Sequence, residues 1–253
     1  MKKLLDIIQQ LRDPKTGCPW DIEQTFSSIA PYTIEEAYEV ADAIEQQDMT
    51  GLKSELGDLL FQVVFHAQMA EESGYFDFDD VVEAVSDKMI DRHPHVFEAN
   101  APRLTADQQT HAWERAKSKN KVSVLDGIAN NLPELLKAVK LTKYAAVIGF
   151  DWPDISQVFD KLEEETTELK EAIVEQDNTH IEEELGDLLF VCANLARHLK
   201  IDPSSALRKA NHKFERRFRA VEELAKGQQP KKENFDLKVL DELWNQVKVE
   251  LKK

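Results

Sequence analysis

The chain contains an internal repeat. The segment TIEEAYEVADAIEQQDMTGLKSELGDLLF at 33–61 aligns without a gap with LEEETTELKEAIVEQDNTHIEEELGDLLF at 162–190, an offset of 129 residues. The heptapeptide ELGDLLF is identical in the two segments. The similarity extends outward, since residues 21–26 resemble residues 154–159 and a Lys-x-x-x-Arg pair follows each segment. A repeat of this length indicates two copies of one structural unit.

Each copy is predicted to form three helices. Of the 253 residues only eight are Gly and nine are Pro, so the composition favours helix over most of the length. The expected helices cover 33–48, 51–72 and 78–91 in copy one and 157–176, 179–199 and 204–225 in copy two, followed by an amphipathic helix near 236–251. Ser204 is expected to cap its helix.

The repeat also predicts the domain organisation. We expect an all-α fold with two repeated helical bundles, because packing against neighbouring helices buries the apolar stripes. The predicted bounds are 1–93 for the first domain, 94–130 for a linker and 131–253 for the second domain. The linker is expected to carry one polar helix around 105–118.

Composition narrows the possible partners and compartments. The formal charge of -16 repels a nucleic-acid backbone, so no direct nucleic-acid binding is expected, although acidic surfaces also serve solubility alone. Two unrelated cysteines, Cys18 and Cys192, argue against a disulfide framework. No apolar run is long enough to span a membrane, and the N-terminus lacks the apolar core of a signal peptide. We expect a soluble cytoplasmic protein.

The acidic residues of copy two are placed unusually. Glutamates on helices normally lie on a solvated face. At 100° per residue, however, Glu165 falls inside the apolar stripe of its helix and Glu168 falls at the edge of that stripe. In the next helix Glu184 and Asp187 share a side with apolar residues. Four carboxylates are therefore predicted to face the core.

Converging buried carboxylates must either be protonated or bind cations, because an unpaired buried carboxylate costs several kcal/mol. Oxygen donors without Cys or His favour Mg²⁺, with Mn²⁺ as a possible substitute. The corresponding metal candidates in copy one are Glu36, Glu39, Glu55 and Asp58.

Two cationic residues on the third helix of copy two complete the candidate site. Arg217 lies within the apolar stripe of that helix and Lys213 lies at its border. Both could form salt bridges with the glutamates. A Lys-x-x-x-Arg pair repeated beside a repeated acidic set fits a metal–polyphosphate ligand better, so the pair is predicted to bind phosphates.

These motifs resemble those of a known family. The pattern Glu-Glu-x-x-Glu followed by Glu-x-x-Asp within ELGDLLF resembles that of the all-α nucleoside triphosphate pyrophosphohydrolases. Together with GCPWD at 17–21 and RHPHVF at 92–97, it is similar to the two-domain bacterial MazG family over essentially the whole chain.

The resemblance implies a reaction. Magnesium bound by Glu165, Glu168, Glu184 and Asp187 would activate a water to attack the α-phosphorus of a nucleoside triphosphate such as ATP. Lys213 and Arg217 would hold the phosphates while pyrophosphate leaves. Glu164 is the candidate for orienting the water. The resemblance further implies a homodimer and favours copy two as the catalytic copy, with copy one weakly active or structural.

Three alternatives stay open at this point. A di-iron carboxylate protein would need Glu-x-x-His pairs, which neither copy has at the expected position. An acidic scaffold that senses nucleotides or cations without turnover is the non-enzyme alternative, particularly for copy one. Trp20, Phe150, Trp152 and Trp244 could stack on a nucleobase or could be core anchors.

Overall fold

The computed structural model describes residues 1–98, 105, 108–109, 122–228 and 235–250. Every regular element in this part of the chain is a helix, which confirms the all-α prediction. The helices are α1 (Lys2–Leu11), α2 (Pro19–Glu23), α3 (Phe26–Gln46), α4 (Met49–Glu72), α5 (Phe78–Arg92), α6 (Pro94–Phe97), α7 (Glu134–Val147), α8 (Ile155–Glu175), α9 (Asn178–His198), α10 (Pro203–Gln228) and α11 (Leu237–Glu250).

The chain divides into two compact units, Met1–Thr105 and Ala106–Lys253. Each unit contains one copy of the repeat, so the prediction of two repeated helical units is confirmed. The domain bounds predicted at residues 93 and 130 stay a prediction. Most of the polar helix expected around 105–118 lies outside the described residues. None of the described helices has the length and apolarity needed to cross a bilayer.

The first unit is built on an antiparallel hairpin of α3 and α4. Gln47 ends α3 in the left-handed conformation at φ 57°, and Asp48 then caps α4 by accepting hydrogen bonds from the backbone N–H groups of Thr50 and Gly51. These two residues reverse the chain within a single tight connection. The turn therefore fixes which faces of α3 and α4 meet.

Helix α3 begins seven residues earlier than the predicted start at residue 33. Thr25 and Ser28 form a capping box, in which each side chain accepts from the other residue's backbone N–H. This cap starts the helix upstream of Pro31, which the helix then incorporates near its beginning. The predicted start was wrong because it coincided with the start of the aligned segment at residue 33, and the cap lies upstream of that segment.

The core of the first unit lies where α1 packs on the hairpin. Its fully enclosed members are Ile8, Ile29, Val64, Phe65 and Met69. Arg12, directly after α1, donates hydrogen bonds to the Glu72 carboxylate and to the Asp21 carbonyl oxygen. Helix α1, for which the sequence gave no prediction, thus fastens the far end of α4.

The second unit repeats the hairpin with α8 and α9, and α7 packs on α9. Gln176 adopts φ 59° and Asp177 caps α9, as their counterparts do in the first unit. Asp151, in the loop before α8, accepts hydrogen bonds from Arg197. This ion pair fastens the start of the repeat to the end of α9.

Helix α10 packs on α11 through a cluster formed by Val221, Ala225, Leu243 and Val247. The expectation that Ser204 caps α10 was wrong, because α10 begins at Pro203. The Asp202 carboxylate accepts from the Ser205 N–H at 2.6 Å and performs that function instead.

Candidate metal centre

Three carboxylates of copy two converge in the α8–α9 hairpin. Glu165 on α8 and Glu184 and Asp187 on α9 each offer an oxygen, and these oxygens all lie within 4.8 Å of one another. Glu165 is only 4% exposed and Glu184 is 9% exposed. Asp187, which was expected to face inward, is exposed in this chain. The hairpin thus brings three predicted ligands together with two of them withdrawn from water.

Glu168 lies close to this group but not within it. It is half-buried, one turn beyond Glu165. Its burial raises its pKa above the usual value, and the negative charges of Glu165 and Glu184 raise that pKa further. A carboxylate in this position gains from a nearby cation, because a cation offsets both causes. Glu168 therefore fits a role as an additional metal ligand.

The donor set suits a hard divalent cation. All four groups are carboxylates, and Mg²⁺ prefers oxygen ligands supplied by one or two carboxylates together with water and phosphate. Glu165 and Glu184 are buried too deeply to be left as unneutralised anions at little cost. The residues present therefore fit magnesium.

Two basic residues that the sequence analysis did not predict, Lys161 and His180, also contact the acidic group. The Lys161 Nζ lies 2.7 Å from Glu165 Oε1 and 2.7 Å from Glu164 Oε1. The His180 Nε2 lies 3.0 Å from Glu184 Oε1. Hydrogen bonds from the lysine to Glu164 and Glu165 raise the Lys161 pKa. The i,i+4 spacing of both pairs is a signal from which the sequence could have found them.

Three carboxylates also converge in copy one, but they are not the three that align with the group in copy two. Glu36, Glu39 and Glu55 offer oxygens within 4.8 Å of one another, while Asp58 lies outside this set. Burial raises the pKa of Glu36, with further contributions from the charges of Asp58 and Glu39. Burial likewise raises the pKa of Glu55, and Glu39 adds to the effect. Burial and the repulsion between neighbouring carboxylates thus both disfavour the ionised forms of Glu36 and Glu55.

The predicted phosphate-binding pair lies on α10. Lys213 is exposed and Arg217 is half-buried, with its Nε buried and without a hydrogen-bond partner among the described residues. Neither side chain forms an ion pair within the described part of the chain. The alternative interpretation, in which Lys213 and Arg217 form salt bridges with the glutamates, is therefore not supported.

The aromatic candidates differ in environment. Trp244 packs into the α10–α11 cluster, and its ring centroid lies 5.3 Å from that of Phe214. This contact agrees with the core-anchor interpretation for Trp244. Trp20, Phe150 and Trp152 are exposed.

Comparison with known proteins identifies the family. A model described as the MazG nucleotide pyrophosphohydrolase domain matches residues 24–97 and 155–221, which together make up more than half of the chain. The chain belongs to the MazG nucleotide pyrophosphohydrolase family. Each matched segment contains one acidic group, so the MazG model covers both copies of the repeat. The resemblance inferred from the motifs is confirmed.

The relatives extend over nearly the whole chain. A nucleoside triphosphate pyrophosphohydrolase of Escherichia coli K12 is 49% identical over 255 residues, covering 97% of this chain and 96% of that protein. A Thermotoga maritima protein named nucleoside triphosphate pyrophosphohydrolase/pyrophosphatase MazG is 44% identical, covering 98% and 95%. The prediction of an enzyme of the hydrolase class is therefore confirmed.

A solved structure also matches in part. The crystal structure of a mazG-related protein from Thermotoga maritima is 25% identical, with a TM-score of 0.39, and covers 47% of this chain and 99% of that chain.

Proposed function

We propose that the chain hydrolyses nucleoside triphosphates, ATP among them, to nucleoside monophosphate and pyrophosphate in a magnesium-dependent reaction at copy two. The observation that carries this proposal is the convergence of Glu165, Glu184 and Asp187 within 4.8 Å, with two of the three buried. The names of the relatives from Escherichia coli and Thermotoga maritima, which align over 95% or more of their length, support the reaction class.

Glu165, Glu168, Glu184 and Asp187 would hold the magnesium. When bound there, the ion supplies positive charge to the phosphate oxygens and lowers the pKa of a water that attacks the α-phosphorus. Manganese is the expected substitute, since it accepts the same oxygen donors. The raised pKa of Glu168 supports its inclusion, because a cation would relieve the repulsion from Glu165 and Glu184.

The cationic residues of α10 would hold the phosphates. The buried Nε of Arg217 supports this role, since a buried donor without a partner is costly and a phosphate oxygen would satisfy it. Lys213, one turn earlier and exposed, supplies a second positive charge. Together the two residues would offset the charge that develops on the leaving pyrophosphate.

Glu164 stays the candidate for orienting the attacking water. Lys161 donates a hydrogen bond to its Oε1. Among the described residues nothing donates to its Oε2, so that oxygen can accept from a water. The carboxylate is thereby held in place without being fully occupied.

Copy two is proposed as the working site because two of its three converging carboxylates, Glu165 and Glu184, are buried, whereas those of copy one are half-buried or exposed. Copy one would be weakly active, structural, or a sensor of nucleotides or cations.

The homodimer also belongs to this proposal. It is supported by exposed apolar side chains on α9, where Leu185 is 46% and Leu189 is 52% exposed.

Product analysis tests the proposal. Purified protein is incubated with each common ribo- and deoxyribonucleoside triphosphate, with magnesium or with a chelator, and the products are separated. We expect monophosphate and pyrophosphate in equal amounts, only when magnesium is present. Diphosphate with inorganic phosphate, or intact nucleotide in every case, would contradict the proposal and favour the sensor.

A further inference from the structure

The contact between Lys161 and Glu165 has no role in the proposed reaction. Its Nζ lies 2.7 Å from Glu165 Oε1, and Glu165 is a buried member of the acidic group. The same Nζ lies 2.7 Å from Glu164 Oε1. Glu164 is exposed and is not a member of the acidic group. One ammonium group thus joins a metal-ligand candidate to a carboxylate outside the group.

The lysine distinguishes the two copies. The position aligned with Lys161 is Tyr32, which carries no charge. Within the described residues no Lys, Arg or His forms an ion pair with Glu36, Glu39 or Glu55. An internal cation on the acidic group is therefore a property of copy two and not of the repeat.

An ammonium group and a divalent ion cannot share Glu165 without cost. The carboxylate oxygens of the group lie within 4.8 Å of one another, so an ion bound among them would be a few ångströms from an ammonium that still contacted Glu165. At such separations like charges repel strongly, particularly beside buried groups. Metal binding therefore requires the lysine to withdraw from Glu165, and Glu164 offers it a partner that it already contacts.

We propose that Lys161 is a resident counter-ion that competes with the divalent cation for Glu165 and is retained by Glu164 when the cation binds. This inference rests on the proposed function, because it takes the acidic group of copy two as the metal site. In the metal-free protein the lysine neutralises a buried carboxylate. It also raises the concentration of free metal that the site needs for occupancy.

Binding of Mn²⁺ to the full chain without nucleotide tests this role, with free Mn²⁺ measured by electron paramagnetic resonance at a pH well above the glutamate pKa. Lys161→Met is expected to bind Mn²⁺ roughly tenfold more tightly than the parent chain, from the loss of one nearby positive charge. Lys170→Met is the matched control, because it removes the same charge from an exposed position on the same helix. Its affinity should change less than about twofold. Unchanged or weaker binding by Lys161→Met would overturn the proposal.

Glu164 supplies a second test. Glu164→Gln removes the partner that would retain the lysine, so Mn²⁺ binding should weaken in the parent chain. The same change should have little effect when Lys161 is already Met. Equal effects in both backgrounds would contradict a role through the lysine. Should Lys161→Met fail to fold, Lys161→Gln replaces it, because glutamine can still donate to Glu165.

Glu184→Gln separates this inference from the proposed function. If Glu184→Gln weakens Mn²⁺ binding while Lys161→Met leaves it unchanged, the metal site stands and only the role of the lysine fails. If the parent chain binds no Mn²⁺ at the acidic group, both fail.

Discussion

The two copies of the repeat hold the same acidic motif in different surroundings. In copy two, Glu165 and Glu184 are buried, Glu165 contacts the Lys161 ammonium group and Glu184 contacts the His180 ring. In copy one, Glu36 and Glu55 are only half-buried, and burial together with neighbouring acidic charges raises their pKa values. The backbone turn between the two helices is built in the same way in both copies. The difference therefore lies in side chains around the motif.

Two aligned positions beside the acidic motif carry different residues in the two copies. The positions of Lys161 and His180 correspond to Tyr32 and Gly51, which provide no positive charge. The Lys161 ammonium group and the His180 ring offer partners to the buried carboxylates of copy two, and a buried carboxylate is stable only when it has a partner. Copy one retains the motif with its carboxylates less buried.

Alanine substitution of the lysine on the third helix should have the largest effect among the single-residue variants. Lys213→Ala is expected to lower kcat/KM roughly 10- to 100-fold, as when a charge-assisted hydrogen bond to phosphate is lost. Lys88→Ala makes the same change in the Lys-x-x-x-Arg pair of copy one, formed by Lys88 and Arg92, and should lower kcat/KM less than about threefold if copy one does not turn over. Equal losses of kcat/KM in the two variants, measured by steady-state kinetics, would contradict the proposed difference in activity between the copies.

Arg12 in the first unit and Arg197 in the second form comparable charged hydrogen bonds. Replacing each of them tests whether the two units are stabilised in the same way. Arg12 donates to Glu72 beside the Phe65 ring, and Arg197 donates to Asp151 and to the buried Asn194. Arg12→Ala and Arg197→Ala should each destabilise their own unit by about 2 kcal/mol, from lost charged hydrogen bonds. Amide hydrogen exchange should speed up in α4 for the first variant and in α9 for the second. If amide exchange speeds up in neither helix, the two arginines contribute little to the stability of their units.

The aligned glutamates should respond with opposite signs in the metal-free protein. Glu165→Gln removes an ion pair with Lys161 and is expected to lower the melting temperature by roughly 2–4 °C. Glu36→Gln removes a charge that is repelled by its neighbours and should raise it by roughly 1–2 °C. Shifts of the same sign would contradict the electrostatic difference between the copies.

The effect of Glu36→Gln should also depend on pH. The folded-state pKa of Glu36 lies above its ordinary value of 4.5, so its ionised form disfavours folding. The variant and the parent should therefore melt alike where Glu36 is protonated. The stabilisation should appear as the pH rises through 4.5 and the raised pKa, and thermal melts across this range with a chelator measure it.

Much of the hairpin could be predicted from the sequence, because the repeat supplied two independent views of each helix. The predicted starts at residues 51 and 179 fall within two residues of the observed starts of α4 and α9. The start of α3 was missed because its capping box, formed by Thr25 and Ser28, lies upstream of the aligned segment. Helices α1 and α7 lie outside the aligned segment, so the repeat gave no signal for them.

The candidate site was predicted in part. Helical periodicity indicated that Glu165 and Glu184 face inward, because those residues share a stripe with apolar neighbours. Periodicity does not show how two helices are rotated against each other. It therefore could not show that Asp187 joins the group while Glu168 stays beside it. The spacing of Lys161 and Glu165 is common to many exposed helical Lys–Glu pairs, so it did not distinguish this buried pair from a surface pair.

The most direct test of the central claim compares two double variants for magnesium-dependent release of pyrophosphate. Glu165→Gln with Glu184→Gln removes both buried carboxylates of copy two, and Glu36→Gln with Glu55→Gln makes the aligned change in copy one. We expect the first variant to lose at least about a hundredfold in initial rate and the second to retain more than roughly a third of it. A comparable loss in both, or a greater loss in the second, would contradict the assignment of catalysis to copy two.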